Sequence, residues 1–203
     1  MEHEPDPVVE RFRPTSGRIT GAVSLALCLA VLVICLVDRE SGWGPAVASG
    51  AALIGALIWA GVLRPALRLT ERHLVLRNMV ETVHLPLAAI EELAIRQTLA
   101  VRVGEKRFVS PAVGKSWRTM LKSRPGDPST SVASVPDPSM PYADFVEQRI
   151  RRAMDDARAA AGITRYSDEQ QALAAGVRRT PAWPEIALLA GSGAALLVSW
   201  FVL

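Results

Sequence analysis

The segment LRPALRLTERHLVLRNMVETVHLPLAAIEELAIRQTLAVRVGEKRFVSPAVGK, Leu63–Lys115, determines the fold predicted for this 203-residue chain. Short runs within it alternate apolar and polar residues, so that Leu67 and Leu69 share a face opposite Arg68. Turn-forming residues such as Asn78 and the Gly104-Glu105 pair separate the runs. Such period-2 alternation is typical of strands with one apolar face. About six strands of this kind predict a small antiparallel barrel or sandwich around one core.

Three uncharged apolar runs flank this segment. Two of them, residues 19–37 and 45–63, are separated by a short polar connection and predict an antiparallel transmembrane hairpin over 19–63. Each is long enough for a helix to cross the ~30 Å hydrocarbon core of a bilayer. The third run, residues 186–203, predicts a C-terminal transmembrane helix over 181–203. The alternative for this run is a buried helix of a soluble domain, but flanking tryptophans and upstream arginines favour a membrane span.

Two polar segments are predicted to lack regular structure. Residues 1–18 are polar and interrupted by prolines, which is typical of a disordered N-terminus. Residues 123–140 are rich in proline and serine, and they predict a flexible linker between the β domain and the C-terminal part of the chain.

Residues 141–180 predict a helical segment. Apolar residues recur every three or four positions over 142–161, which indicates an amphipathic helix. Glu147 and Arg151 lie four residues apart on its polar face. Because that face carries both signs of charge, we expect the helix to pack on protein, either the β domain or a partner, rather than on a membrane surface. A second, short helix is predicted from Ser167 to about Arg178, because Ser167 and Gln170 resemble a capping box.

The segment 64–122 resembles the bacterial pleckstrin-homology-like (PH-like) domains of actinobacterial membrane proteins. In that family an RPxxxLTxxGLVVRN opening is followed by a TxxIPWxxI strand, a short hairpin and a PAxGR-like loop. The chain keeps Arg64-Pro65, Leu69-Thr70, Leu74-Val75, Arg77-Asn78, Leu85-Pro86, Ile90 and Pro111-Ala112. It has His73 where the family has glycine and Leu87 where the family has tryptophan. The resemblance implies a PH-like β domain over 64–122 and assigns no ligand to it.

The charge of the chain is unevenly distributed. Residues 64–124 carry 12 Lys and Arg against 5 Asp and Glu, a net charge of +7, whereas the whole chain carries +3. Arginines precede the first apolar run, follow the second and precede the third. Because positive residues near membrane spans mark the cytoplasmic side, we expect a multi-pass cell-membrane protein with a cytoplasmic β domain and an external C-terminus.

These basic residues are the candidate functional set. The expected function is a non-enzymatic interaction or scaffold module at the cytoplasmic face of the membrane. It would bind a protein partner through a sheet edge or helix 142–161, or a second copy through the transmembrane helices. The alternative is binding or sensing of anionic lipid headgroups, to which each nearby Lys or Arg contributes ~1 kcal/mol. The candidate residues are Arg68, Arg72, Arg77, Lys106, Arg107, Lys115 and Arg118.

No pattern in the sequence indicates catalysis, a cofactor, a metal site or nucleic-acid binding. His73 and His84 lie on predicted strands without a surrounding Cys, His or carboxylate cluster. Glu91 and Glu92 are neighbours on a strand, so they face opposite ways and are expected to be solvated. The apolar runs contain no charged residue that would indicate a transporter. Few aromatic residues and no groove-reading helix argue against nucleic-acid binding.

Overall fold

The computed structural model of the chain describes residues 7–12, 17–37, 44–114 and 142–202. Across these residues the protein is mixed α+β, with three long apolar helices and two small antiparallel sheets, neither of which is closed. The chain divides into two compact units. Of the described residues, those within 1–16, 66–77 and 83–179 form the β unit, and those within 17–65, 78–82 and 180–203 form the helical unit.

The described elements have the following bounds. The helices are α1 (Arg18–Val37), α2 (Gly44–Ile58), α3 (Tyr142–Ala161), α4 (Asp168–Ala172) and α5 (Trp183–Val202). The strands are β1 (Val8–Phe12), β2 (Ala66–Thr70), β3 (His73–Arg77), β4 (Glu81–Pro86), β5 (Glu92–Ile95), β6 (Leu99–Val103), β7 (Lys106–Ser110) and β8 (Arg178–Pro181). A π-helical turn, Trp59–Leu63, continues α2, and 3₁₀ turns occur at Leu87–Ala89 and Leu173–Gly176.

The helical unit contains the three apolar helices that the sequence predicts. Helix α1, helix α2 with its π-helical continuation, and helix α5 are each long and apolar enough to cross a membrane. Helix α2 packs against both α1 and α5. Small residues make these contacts close, since Ala51 and Gly55 of α2 are buried. The hydroxyls of Ser49 and Ser199 are hydrogen-bonded at 2.8 Å and join α2 to α5.

A buried arginine links the end of helix α2 to the start of helix α5. Arg64 follows the π-helical turn, and its side chain is only 4% exposed. Its Nε donates to the carboxylate of Glu185, at the start of α5, over 2.5 Å. Its Nη1 donates to the backbone carbonyls of Asn78 and Met79. Because an unpaired buried charge is costly, this set of acceptors is what allows Arg64 to be buried.

We expect the Arg64–Glu185 pair to behave as a unit. Replacing Arg64 by methionine removes the cation paired with the largely buried Glu185 carboxylate, which should cost about 3–5 kcal/mol of unfolding free energy. The double variant Arg64→Met/Glu185→Gln should cost less than the sum of the two single variants. Denaturant unfolding of the full chain in detergent micelles measures these costs. Arg18→Met, at the exposed start of α1, is the matched control, and additive costs would contradict the coupling.

The β unit is built on two sheets. The first has the strand order β1-β2-β3-β4-β8, and the second has the order β5-β6-β7. Strands β2 and β3 are antiparallel, with Leu67 opposite Leu76. Strands β6 and β7 form the predicted hairpin, in which Gly104 has a φ of +56°. Such a positive φ favours glycine and suits a two-residue hairpin turn. Because the described sheets are open, the closed-barrel form of the fold prediction does not hold.

Two strands lie where the sequence analysis does not place them. Residues 1–18 are expected to be disordered, but Val8–Phe12 form β1, which pairs antiparallel with β2 and buries Phe12 in the core. The short second helix is expected to reach about Arg178, but α4 ends at Ala172, a 3₁₀ turn follows at Leu173–Gly176, and Arg178 begins strand β8. Pairing with the rest of the first sheet overrides the weak local signal in both segments. The predicted linker 123–140 lies outside the described residues.

Both sheets contribute to one hydrophobic core. The alternating apolar side chains of strands β2 to β7 point into this core, as the period-2 pattern predicts. Burial of each such side chain stabilises the fold by roughly 1.5–3 kcal/mol. The following core residues are at most 2% exposed: Leu67, Leu69, Leu74, Leu76, Val83, Leu85, Leu93, Ile95, Leu99, Val101 and Val103.

Helix α3 covers this core. Its bounds are those predicted from the sequence, and its apolar face is buried in the same cluster as the strand residues. The buried positions Ala143, Val146, Ile150 and Met154 recur at three and four residues, which places them on one face. The structure therefore resolves the alternative that the sequence leaves open, because the helix packs on the β domain.

The polar side chains of α3 also satisfy the backbone of strand β5. Strand β5 pairs with β6 along one edge. At β5, the carbonyl of Leu93 accepts a hydrogen bond from Arg151 Nη2 at 2.5 Å, and the N–H of Ile95 donates to Glu147 Oε2 at 3.3 Å. Glu147 and Arg151 also form an ion pair at 2.8 Å. The predicted (i, i+4) pair thus takes the place of a neighbouring strand at the edge of β5.

We expect Ile150 to be essential for this packing. Ile150→Ala removes a fully buried side chain from the contact between α3 and the sheets, which should destabilise the β unit by about 2–5 kcal/mol. Hydrogen exchange of the full chain in micelles, followed by mass spectrometry, should show faster exchange in peptides covering β5 and β6. Arg152→Ala, an exposed position on the same helix, should leave the exchange unchanged. Equal exchange in both variants would show that the helix does not stabilise these strands.

Candidate functional site

The structure separates the basic residues that the sequence groups together. Arg68 and Arg77 lie on the outer face of the first sheet, since their neighbours in the strands are core leucines. Arg72 lies in the turn between β2 and β3. Lys106 and Arg107 are exposed on β7 of the second sheet. Lys115 and Arg118 lie outside the described residues.

This separation follows from the shared core. Inward side chains of both sheets lie in one cluster, so the outer face of each sheet is turned away from this shared core. Arg68 and Arg107 therefore belong to different surfaces. The fold does not place all the described candidate residues on a single basic face.

The first surface lies on strands β1 to β4 and β8. Arg68 is directly opposite Arg11 of β1 and opposite Val75 of β3. His84 faces outward on β4, because Val83 and Leu85 face the core. Like charges directly opposite each other on neighbouring strands are destabilising. We refer to this surface, formed by Arg11, Arg68, Arg77, His84 and Arg178, as the basic sheet face.

His84 reports the electrostatics of the basic sheet face. Partial burial lowers the pKa of His84 below its ordinary value of 6.5, and the nearby charges of His73 and Arg178 lower this pKa further. Each cause disfavours the protonated ring, by desolvation in the first case and by repulsion in the others. The basic sheet face therefore resists additional positive charge near neutral pH.

The second surface is a hollow on the outer face of the three-stranded sheet, with a volume of about 740 Å³. Glu92, Arg102 and Arg107 are cross-strand neighbours at one end of it. Arg96 lies at the other end, and Ala94 and its partner Ala100 contribute only methyl groups between the two ends. We call this the arginine hollow. Its lining residues are Glu92, Ala94, Arg96, Gln97, Thr98, Ala100, Val101, Arg102 and Arg107.

The two adjacent glutamates beside the arginine hollow differ in exposure. The side chain of Glu92 is 59% exposed, as expected from the sequence, and lies 3.7 Å from Arg102. The side chain of Glu91 is only 6% exposed and lies 3.5 Å from Arg102 Nε, so the expectation of a solvated charge is wrong for Glu91. Its backbone N–H donates to the carbonyl of Arg102, which draws the residue in beside strand β6.

Of the hollow's residues, the basic character of the sequence indicates Arg102 and Arg107, and of these Arg107 is in the candidate site set. Arg96, Gln97 and Thr98 form the turn between β5 and β6, and turn residues are commonly polar without a binding role. The signal in the sequence is the polar run Arg96–Thr98 together with arginines at outward positions 102 and 107 of the following hairpin. Only the strand register shows that these positions share one surface.

Comparison of the chain with protein-family models, curated proteins and solved structures found no match. The resemblance to PH-like domains therefore depends on the residues of this chain alone. Among residues 7–12, 17–37, 44–114 and 142–202, no group of three or more His, Cys, Asp or Glu side chains could hold a metal ion.

We expect the stability of the β unit to fall as His84 becomes protonated. Because the pKa of His84 is lowered in the folded state, the unfolded chain binds the proton more readily below about pH 6.5. Unfolding free energy should therefore decrease as the pH falls through this range, and His84→Gln should remove part of that decrease. His73→Gln should raise the pKa of His84, since it removes a repelling ring. NMR titration of ring-labelled histidines in micelles measures this, and a His84 pKa at or above 6.5 would contradict the expectation.

Proposed function

We propose that the protein is a membrane-anchored, non-enzymatic interaction module. In this proposal, α1, α2 with its π-helical continuation, and α5 cross the cell membrane. The β unit lies in the cytoplasm and the C-terminus lies outside. The length and apolar composition of the three helices support the membrane assignment. The arginines before the first span, after the second and before the third support the orientation.

We also propose that the β unit is PH-like. The PH-like motif residues of segment 64–122 support this assignment. Two small antiparallel sheets that share one core with an amphipathic helix support it as well. Since the described sheets are open, a sandwich is the form of this fold that we propose. A PH-like fold by itself implies no particular ligand.

The basic sheet face carries the interaction. The apolar face of α3 is buried in the core, and the side chains of α3 occupy the edge of β5, so neither serves a partner in this arrangement. Arg11 and Arg68 are directly opposite each other on neighbouring strands, and their mutual repulsion would be relieved by an anionic group between them. We therefore propose an acidic segment of a partner protein as the occupant. The observation that carries this proposal is the Arg11–Arg68 pair.

Charge reversal of the basic sheet face tests this proposal. Photo-cross-linking of the full chain in its own membrane should capture a partner protein, and Arg68→Glu should reduce the capture at least ~tenfold by replacing attraction with repulsion. Raising the salt concentration should also reduce capture, since exposed charges are screened. Arg152→Glu, with the same charge change on the exposed side of α3, is the matched control.

The alternative outcomes are distinct. Capture that is equal in the Arg68→Glu and Arg152→Glu variants would overturn the basic sheet face as the binding surface. Cross-links to lipid alone would favour the headgroup-binding alternative. Cross-links only between copies of this chain would argue against a separate protein partner.

A further inference from the structure

We propose that the arginine hollow binds a phosphate-bearing anion. The hollow brings three guanidinium groups, those of Arg96, Arg102 and Arg107, around one concave surface. It lies on a different sheet from the basic sheet face, so the proposal goes beyond the interaction with an acidic partner and does not depend on it. The chemistry of the lining residues, the charge balance and the shape of the hollow support it in turn.

The lining offers hydrogen-bond donors of the kind that a phosphate group accepts. A guanidinium group is planar and always charged, and it can donate two parallel hydrogen bonds to a phosphate. Thr98 contributes a hydroxyl and Gln97 an amide at the same end as Arg96. Glu92, the carboxylate in the lining, lies at the opposite end beside Arg102.

Two of the three arginines in the hollow are available to pair with an anionic ligand. Arg102 lies near Glu91 and Glu92 and also donates to the carbonyl of Gly104 at 3.2 Å. Within the described part of the chain, the structure gives Arg96 and Arg107 no ion-pair partner. Arg102 and Arg107 are directly opposite each other on β6 and β7, which is a repulsive arrangement that an anion relieves.

The shape of the hollow favours a small polar ligand. Its volume of about 740 Å³ is within the range of small-molecule sites. Ala94 and Ala100 pair across β5 and β6 and carry only methyl groups, which leaves room for the long arginine side chains at both ends to extend over them. Thr98, in the turn before β6, and Arg102, on β6, are four residues apart, which is about 13 Å in extended backbone. A ligand with two linked phosphate groups would contact both ends, so inorganic pyrophosphate is the first probe.

Titration calorimetry of the full chain in phosphatidylcholine nanodiscs with inorganic pyrophosphate tests the proposal. We expect saturable binding that weakens about tenfold in Arg96→Gln and in Arg107→Gln, which corresponds to the loss of one charge-assisted contact in each case. Glu92→Gln should bind several-fold more tightly, because it removes a negative charge from the lining. This gain cannot arise from misfolding. Arg152→Gln is the matched control and should bind as the unmodified chain does.

Two sources of the phosphate group are separated by a second set of nanodiscs. One preparation contains phosphatidic acid, which has a phosphomonoester headgroup, and the other contains an equal fraction of phosphatidylglycerol. Weaker pyrophosphate binding in the first preparation than in the second assigns the hollow to a lipid headgroup. Equal binding assigns it to a free phosphate compound.

The proposal is overturned if the unmodified chain shows no saturable pyrophosphate binding. It is also overturned if Arg96→Gln, Arg107→Gln and Glu92→Gln bind as tightly as the Arg152→Gln control. Arg68→Glu leaves the hollow intact, so unchanged pyrophosphate binding in that variant would separate this site from the basic sheet face. Failure of either proposal therefore leaves the other standing.

Discussion

The contact between helix α3 and strand β5 is the constraint on which the β unit depends. A strand at the edge of a sheet exposes backbone groups that would otherwise pair with another chain. Here Glu147 and Arg151 provide an acceptor and a donor for that edge, while Ile150, between them in sequence, enters the core. One turn of helix α3 thus buries an apolar side chain in the core and provides hydrogen-bond partners for the backbone of β5. The outer residues of β5, including Arg96 just beyond it, are positioned by the same contact.

Buried arginines solve a similar problem in each unit. Arg158 of α3 is 4% exposed, donates to the carbonyl of Ile90 at 3.1 Å and pairs with Asp155. Burial raises the pKa of the Asp155 carboxyl, but hydrogen bonds from Arg165 and Arg158 outweigh this and hold the pKa below its ordinary value. In the helical unit, Arg64 likewise takes a carboxylate and backbone carbonyls. In both units the arginine donates hydrogen bonds to backbone carbonyls at the ends of regular elements. The planar guanidinium group, with its several donors, suits such positions.

The sequence predicts most of the regular structure because each element carries its own periodic pattern. In strands β2 to β7 and helix α3, the spacing of apolar residues in the sequence matches the positions that are buried. Strand β8 does not, since all four of its residues are exposed and only pairing makes it a strand. Strand β1 is short and follows Pro7, so its state depends on β2, more than fifty residues away. The split into two sheets occurs near the 3₁₀ turn Leu87–Ala89, and no residue there signals it.

The same limit applies to the candidate site. Alternation shows that Arg68 and Arg107 face outward, but it cannot show that they lie on two different sheets. A charge count is also misleading, because Arg64 contributes to the positive charge near the second span although its side chain is buried and paired with Glu185. The positive charge that a ligand can meet is therefore smaller than the count and more localised. It lies at Arg11 and Arg68 on one sheet, and at Arg96 and Arg107 on the other, where Arg102 is already close to Glu91 and Glu92. An anion between Arg11 and Arg68, and another in the arginine hollow, as proposed above, would offset the repulsion between the positive side chains at these positions.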